Sequence, residues 1–203
     1  MESKYRYGQI TKKVIVCFLT VFLLGCAEKP AQPQIDQRIF ENGDIICRLG
    51  NGVFSKWFKE ASTREKIYSH AGIIKIENDS VFVIHAEASE FTGIGFVQKE
   101  NIQTFLKGVQ TWALFRLPVE DSIKNNIAEN ADFYFRRNTS FDLDFDSSCD
   151  EKVYCTQLIA LAVNKALDDK LIKPNLILRG KHFYGVDDVY LLPQIETVYK
   201  TAR

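Results

Sequence analysis

One stretch restricts the possible folds more than any other. Residues 69–76 (SHAGIIKI) and 81–88 (VFVIHAEA) are apolar, β-branched runs separated by Glu77-Asn78-Asp79-Ser80. Two such runs about a short polar turn predict a β-hairpin with Asn78-Asp79 as its two-residue loop. Side chains alternate between the faces of a strand, and a two-residue loop fixes which residues pair. His70 then stands opposite Glu87 and His85 opposite Gly72, which puts His70, His85 and Glu87 on one face of the sheet.

The rest of the chain supplies partners for this hairpin. Residues 44–49 (DIICRL) follow the turn signal Asn42-Gly43 and read as a first strand, and Val53, Phe54, Trp57, Phe58 and Ala61 recur at helical spacing. Residues 94–97 and 111–117 are further strand candidates, the second closed by Pro118. Asp121 or Ser122 can cap a helix with Ile123, Ile127, Ala131, Tyr134 and Phe135 on one face. Residues 155–167 (CTQLIALAVNKAL) read as a mostly apolar core helix. Strands clustered in the middle with helices before and after predict an α+β fold, an antiparallel sheet packed against helices.

The N-terminus reads as an address. Lys4, Arg6, Lys12 and Lys13 precede Val14–Leu24, an uncharged apolar run of eleven residues. As a helix it reaches only about 17 Å, short of a ~30 Å hydrocarbon core, so it predicts a signal segment over residues 1–25 and not a membrane span. The run ends Leu23-Leu24-Gly25-Cys26, which resembles the bacterial lipobox, so Cys26 is the expected lipidation site and new N-terminus. Two or more acyl chains on Cys26 would hold the chain in a membrane of the bacterial cell envelope. Residues 26–38 form the lipidated end and its tether, and residues 39–203 the folded domain. The whole chain carries 26 Lys+Arg against 26 Asp+Glu, and removal of residues 1–25 leaves a net charge of −3. No positive excess exists to neutralise a phosphate backbone, which argues against nucleic acid as a partner.

The chemistry-bearing residues are few. Cys17 leaves with the signal segment, so Cys47, Cys149 and Cys155 remain beside the lipid site. Cys47 lies in an apolar strand and reads as a small buried hydrophobe. Cys149 sits in the polar run 146–151. Cys155 opens the apolar helix, where free N–H groups and the positive dipole end favour a thiolate. It could equally be a core cysteine or pair with Cys149 in an oxidising compartment. The histidines are His70, His85 and His182. His70, His85 and Glu87 could in principle ligate a metal, but no helix or loop spacing defines such a site, and neither metal nor cofactor is expected. The alternative joins Cys155 to the hairpin: a thiol at a helix start, His70 as its base and a third polar residue to orient the imidazole.

Four pieces occur in order: Gly43–Arg48 (GDIICR), Ser69–Ile73 (SHAGI), Ile84-His85-Ala86 and Tyr154–Leu158 (YCTQL). Together they resemble the circularly permuted papain-like cysteine hydrolases of the NlpC superfamily, the YiiX/YebB-like group, relatives of the lecithin:retinol acyltransferase-like enzymes. The resemblance covers about residues 39–200 and implies that fold. It implies Cys155 as nucleophile, His70 as general base and His85 as third residue, with Glu87 as the alternative orienter. It also implies the Cys155 N–H as oxyanion donor, and a loop-shaping role for Phe141-Asp142-Leu143-Asp144. The activity it implies is hydrolysis of an amide or related acyl bond through a thioester, on a peptide of the cell envelope such as peptidoglycan. Lipid acyl transfer or lipid amide hydrolysis, with Val53–Phe58 lining an acyl groove, is a second class, and a non-catalytic envelope binding module a third. Core packing is the simpler reading of residues 53–58.

Overall fold

In the computed structural model, which describes residues 35–201, ten strands and four helices follow one another along the chain. The strands are β1 (Ile45–Arg48), β2 (His70–Glu77), β3 (Ser80–Ala88), β4 (Gly95–Asn101), β5 (Trp112–Arg116), β6 (Ser140–Phe141), β7 (Lys152–Val153), β8 (Leu176–Leu178), β9 (Lys181–Phe183) and β10 (Glu196–Lys200). The helices are α1 (Val53–Ala61), α2 (Ile102–Phe105), α3 (Asp121–Arg136) and α4 (Cys155–Leu167). The expected signal segment, Cys17, Cys26 and most of the tether lie outside the described residues.

Eight strands form one sheet in the order β10-β5-β1-β2-β3-β4-β6-β7, with β8 and β9 as a separate hairpin. All its pairings are antiparallel except β6 with β7. Helices α3 and α4 pack against each other and against β2 and β3, so the architecture is the α+β arrangement that the sequence predicts.

The β2–β3 hairpin has the expected register. Asn78 and Asp79 adopt φ of 48° and 58°, the left-handed pair that matches strand twist, and Glu77 pairs with Ser80 and Ile73 with Ile84. The short side chains of Asn and Asp tolerate this region. Strand β2 is central, because β1 takes its other edge with Arg48 opposite His70 and Cys47 opposite Ala71.

Helix α4 is buried along most of its surface: Cys155–Ala160, Ala162 and Val163 all lie inside. It ends where Asp168 turns left-handed at φ 50°. Helix α3 reaches the sheet through charge as well as apolar contacts. Buried Lys75 of β2 lies 3.1 Å from Asp132 and 2.9 Å from Glu129 of α3, and Lys99 of β4 lies 3.2 Å from Asp132. The start of α3 differs from expectation. Glu120 is its N-cap and makes no side-chain cap bond, while Asp121 faces Lys124 at 3.0 Å inside the first turn. Asp121 thus lies one position inside the helix, where the positive end of the helix dipole stabilises a carboxylate.

Gly72 has a packing reason that the sequence did not disclose. A Cβ at this position would lie 2.5 Å from Val83 Cγ1, 3.0 Å from the Ile84 carbonyl oxygen and 3.2 Å from His85 Cβ. Gly72→Ala should therefore destabilise the fold by about 1–3 kcal/mol, measured by urea unfolding, because buried backbone cannot yield freely. An unchanged midpoint would show that the hairpin has slack there.

Candidate active site

Cys155 is the first residue of α4, and aromatic packing fixes that helix start. Tyr154, the N-cap, stacks on Phe183 at 5.0 Å and meets Phe145 at 5.6 Å, and its hydroxyl accepts from the Tyr184 N–H at 2.9 Å. Thr156 Oγ1 donates to the Tyr184 carbonyl at 2.7 Å, and Gln157 Nε2 donates to the Cys149 carbonyl at 2.7 Å. The α-helical ladder begins with the Leu158 N–H on the Tyr154 carbonyl, so the N–H groups before it are free of helical acceptors.

Strands β2 and β3 bring the two histidines together. His70 Nε2 lies 2.9 Å from His85 Nδ1, with the ring planes at 87°. Phe105 of α2 covers both, 5.8 Å from the His70 ring and 5.1 Å from the His85 ring. His85 is fully buried, and its Nε2 lies 3.0 Å from Glu100 Oε1 on β4. Glu87, the alternative partner for His70, is engaged elsewhere: Arg48 Nη2 donates to its Oε1 at 3.1 Å. Arg48 also donates to the Phe105 carbonyl and lies over the Phe105 ring at 4.2 Å.

Cys155 and His70 line a single cavity of about 750 Å³. Arg48, Ser69 and Glu87 are among its polar lining residues, and Phe54, Trp57, Phe58, Phe141, Leu143 and Phe145 among its apolar ones. Phe58 is buried, whereas Trp57 remains about two-fifths exposed, so α1 serves core and cavity together. The segment 141–146 is shaped as expected, because buried Asp142 accepts from the Asp144 N–H at 3.0 Å and the Asp146 N–H at 2.6 Å. Leu143 and Phe145 nonetheless also face the cavity.

Burial governs the electrostatics. It pushes the Cys155 thiol up to about 12, against the opposing pull of the Ala71 and Thr156 N–H groups. The thiolate expected from the helix start is therefore not the resting form: desolvation outweighs the N–H cradle. Burial also holds His70 well below the ordinary imidazole range, and its neighbours His85 and Arg48 add to this. Burial thus favours the neutral forms of both the thiol and the imidazole. Cys47 is fully buried and Cys149 exposed, and both are free thiols, as is Cys155. His182 is exposed on β9 and does not line the cavity.

The donor atoms of His70, His85 and Glu87 lie within 4.8 Å of one another. They do not fit a metal ion as arranged. His70 Nε2 and His85 Nδ1 are spent on each other, and Glu87 is neutralised by Arg48, whose guanidinium would repel a cation.

Glu100 escaped the sequence reading because the strand expected over 94–97 ends before it. The polar run Gln98-Lys99-Glu100 hides the continuation, yet β4 pairs with β3 as far as Asn101 opposite Phe82. The available signal was positional, since Gln98 faces His85 and Glu100 lies two residues further along the same face.

A helix-borne cysteine and a strand-borne histidine that line one cavity are the arrangement of the papain-like class of cysteine hydrolases. Residues 40–184 match the family of permuted papain-like amidases, YaeF/YiiX, peptidase family C92, and the chain belongs to that family. It is accordingly an amidase-type cysteine hydrolase at the family level. Among solved structures it is similar to one titled metalloprotein yiiX from Escherichia coli O157:H7. That similarity has a TM-score of 0.64 and 19% identity, over 79% of this chain and 97% of the other, and shows the shared fold. No curated protein matches the chain.

The raised thiol sets a pH dependence. Thiolate is lost as pH falls below the thiol pKa, so iodoacetamide alkylation of Cys155, followed by peptide mass spectrometry, should climb about tenfold per unit between roughly pH 7 and 9. A plateau near neutrality would mean that the N–H cradle outweighs burial.

Proposed function

We propose that this protein hydrolyses an amide through a thioester on Cys155, with His70 as general base and His85 as its orienter. The supporting observation is that Cys155 and His70 share one cavity while His70 Nε2 is committed to His85. The other ring nitrogen of His70, Nδ1, takes the thiol proton as Sγ attacks the carbonyl carbon. Because thiol and imidazole are neutral at rest, this is general-base catalysis and not attack by a preformed ion pair. The N–H groups opening α4, that of Cys155 among them, meet the oxyanion. The imidazolium then protonates the departing amine, leaving an acyl thioester. Water, deprotonated by the same imidazole, attacks the thioester and yields a carboxylic acid and the free thiol.

Among substrates, the cavity wall favours an amide with an apolar acyl group over a peptide amide of the cell wall. An aliphatic chain against Phe54, Trp57, Leu143 and Phe145 leaves water at about 25 cal/mol per Å² buried. Arg48 and Glu87, which also line the cavity, offer polar contacts to the head of the substrate. The lipobox reading of Cys26 would tether this cavity beside the acyl chains of the cell envelope.

Release of p-nitroaniline tests the chemistry. Decanoyl p-nitroanilide should be hydrolysed faster than the acetyl compound, and Cys155→Ala should remove at least about 10³-fold of the turnover with little change in unfolding midpoint. Turnover surviving in Cys155→Ala would assign the nucleophile elsewhere, and cleavage of peptidoglycan fragments in preference to acyl anilides would overturn the apolar substrate.

The anchor is tested separately. Cys26→Ser should shift the protein from the membrane fraction to an unprocessed precursor or a released form, followed by fractionation and intact mass. Wild-type partitioning with cleavage after residue 25 would refute lipidation there.

A further inference from the structure

We propose that Glu100 is a positioning residue that sets the tautomers of both site histidines, acting through His85. The inference rests on the reading of His70 as general base and concerns what makes its outer nitrogen available.

The geometry is a linear relay from β4 through β3 to β2. Glu100 Oε1 lies 3.0 Å from His85 Nε2, and His85 Nδ1 lies 2.9 Å from His70 Nε2. A neutral imidazole has one N–H and one lone pair, whereas an ionised carboxylate can only accept. Glu100 is held ionised, its carboxyl below the usual range chiefly through the bond to His85. A neutral His85 then carries its proton on Nε2, which leaves Nδ1 as a lone pair. His70 must donate Nε2–H to that lone pair, which leaves its own Nδ1 unprotonated. Reversing the outermost contact reverses every contact inward and places a proton where the base needs a lone pair.

The surroundings leave little else to set this order. Around His70 stand His85 from β3, Arg48 from β1, Phe105 from α2 and Cys155 from α4. The side chains of Arg48 and Phe105 offer no acceptor for an imidazole N–H, and the Phe105 carbonyl and Glu87 already accept from Arg48. Arg48 is likewise a charged neighbour of Glu100 and favours its ionised form. The relay is also shielded, with His85 fully buried and the Glu100 side chain 21% exposed.

The chain has three histidines, so ring-¹⁵N spectra of histidine-labelled protein are assignable with His70→Gln and His85→Gln as markers. The wild type should show Nε2–H tautomers at both His70 and His85. Glu100→Gln preserves shape but offers an amide donor, and should populate Nδ1–H forms at both rings. With decanoyl p-nitroanilide it should lower kcat by roughly 10²-fold or more while KM stays within about twofold, as a wrong tautomer spares binding. Glu100→Asp, still an acceptor, should retain the wild-type tautomers and recover part of the turnover. Unchanged tautomers in Glu100→Gln would overturn the proposal, whether or not activity falls. Failure of the wild type to hydrolyse any acyl anilide would instead remove the functional reading, while the ring spectra would still decide what Glu100 does.

Discussion

The contact between His70 and His85 can exist in only one pairing of β2 with β3. A slip of one residue would turn an entire strand's side chains to the opposite face and separate the rings. Asn78 and Asp79 fix that pairing through their left-handed backbone, and Gly72 leaves the room that His85 occupies. Phe105 closes the space above both rings, so their polar atoms are left to one another and to Glu100. Much of the site depends on this hairpin, since β2 also presents the Ala71 N–H to the Cys155 sulfur.

Burial then decides the chemistry of the pair. A helix N-terminus and neighbouring N–H groups stabilise a thiolate, but removal from water costs a charged sulfur more than those dipoles return. The same argument keeps His70 neutral beside Arg48. A neutral thiol reacts poorly until a base takes its proton, so under the proposed mechanism reactivity is tied to which nitrogen of His70 carries the lone pair. In that mechanism, orientation of the imidazole would matter more than depression of the thiol pKa.

Two different kinds of contact hold the helices against this hairpin. On the α3 side, Lys75 and Lys99 share the buried carboxylate of Asp132. Loss of one partner from such a buried set costs about 3–5 kcal/mol, because the remaining charge stays desolvated. At the start of α4, aromatic rings from α1, the 141–146 segment and β9 meet around Tyr154 and fix where the helix begins. That second cluster continues into the cavity wall, so the contacts that position Cys155 also shape the space before it.

The sequence by itself determined the local pieces. Alternation and a two-residue turn gave β2 and β3 with their register, helical spacing gave α1, α3 and α4, and the short motifs marked Cys155, His70 and His85. Each is a property of neighbouring residues, where chain geometry alone limits the choices. What the sequence left open was the third group beside His70, with Glu87 and His85 sharing a face. The tertiary structure makes His85 the one that meets His70, while Arg48, brought alongside by β1, takes up Glu87. It also supplied Glu100, on a strand too polar to be read to its end, and it reversed the expected charge state of Cys155. Ion pairing across strands and desolvation depend on what the folded chain places around a group, and a linear pattern does not contain that information.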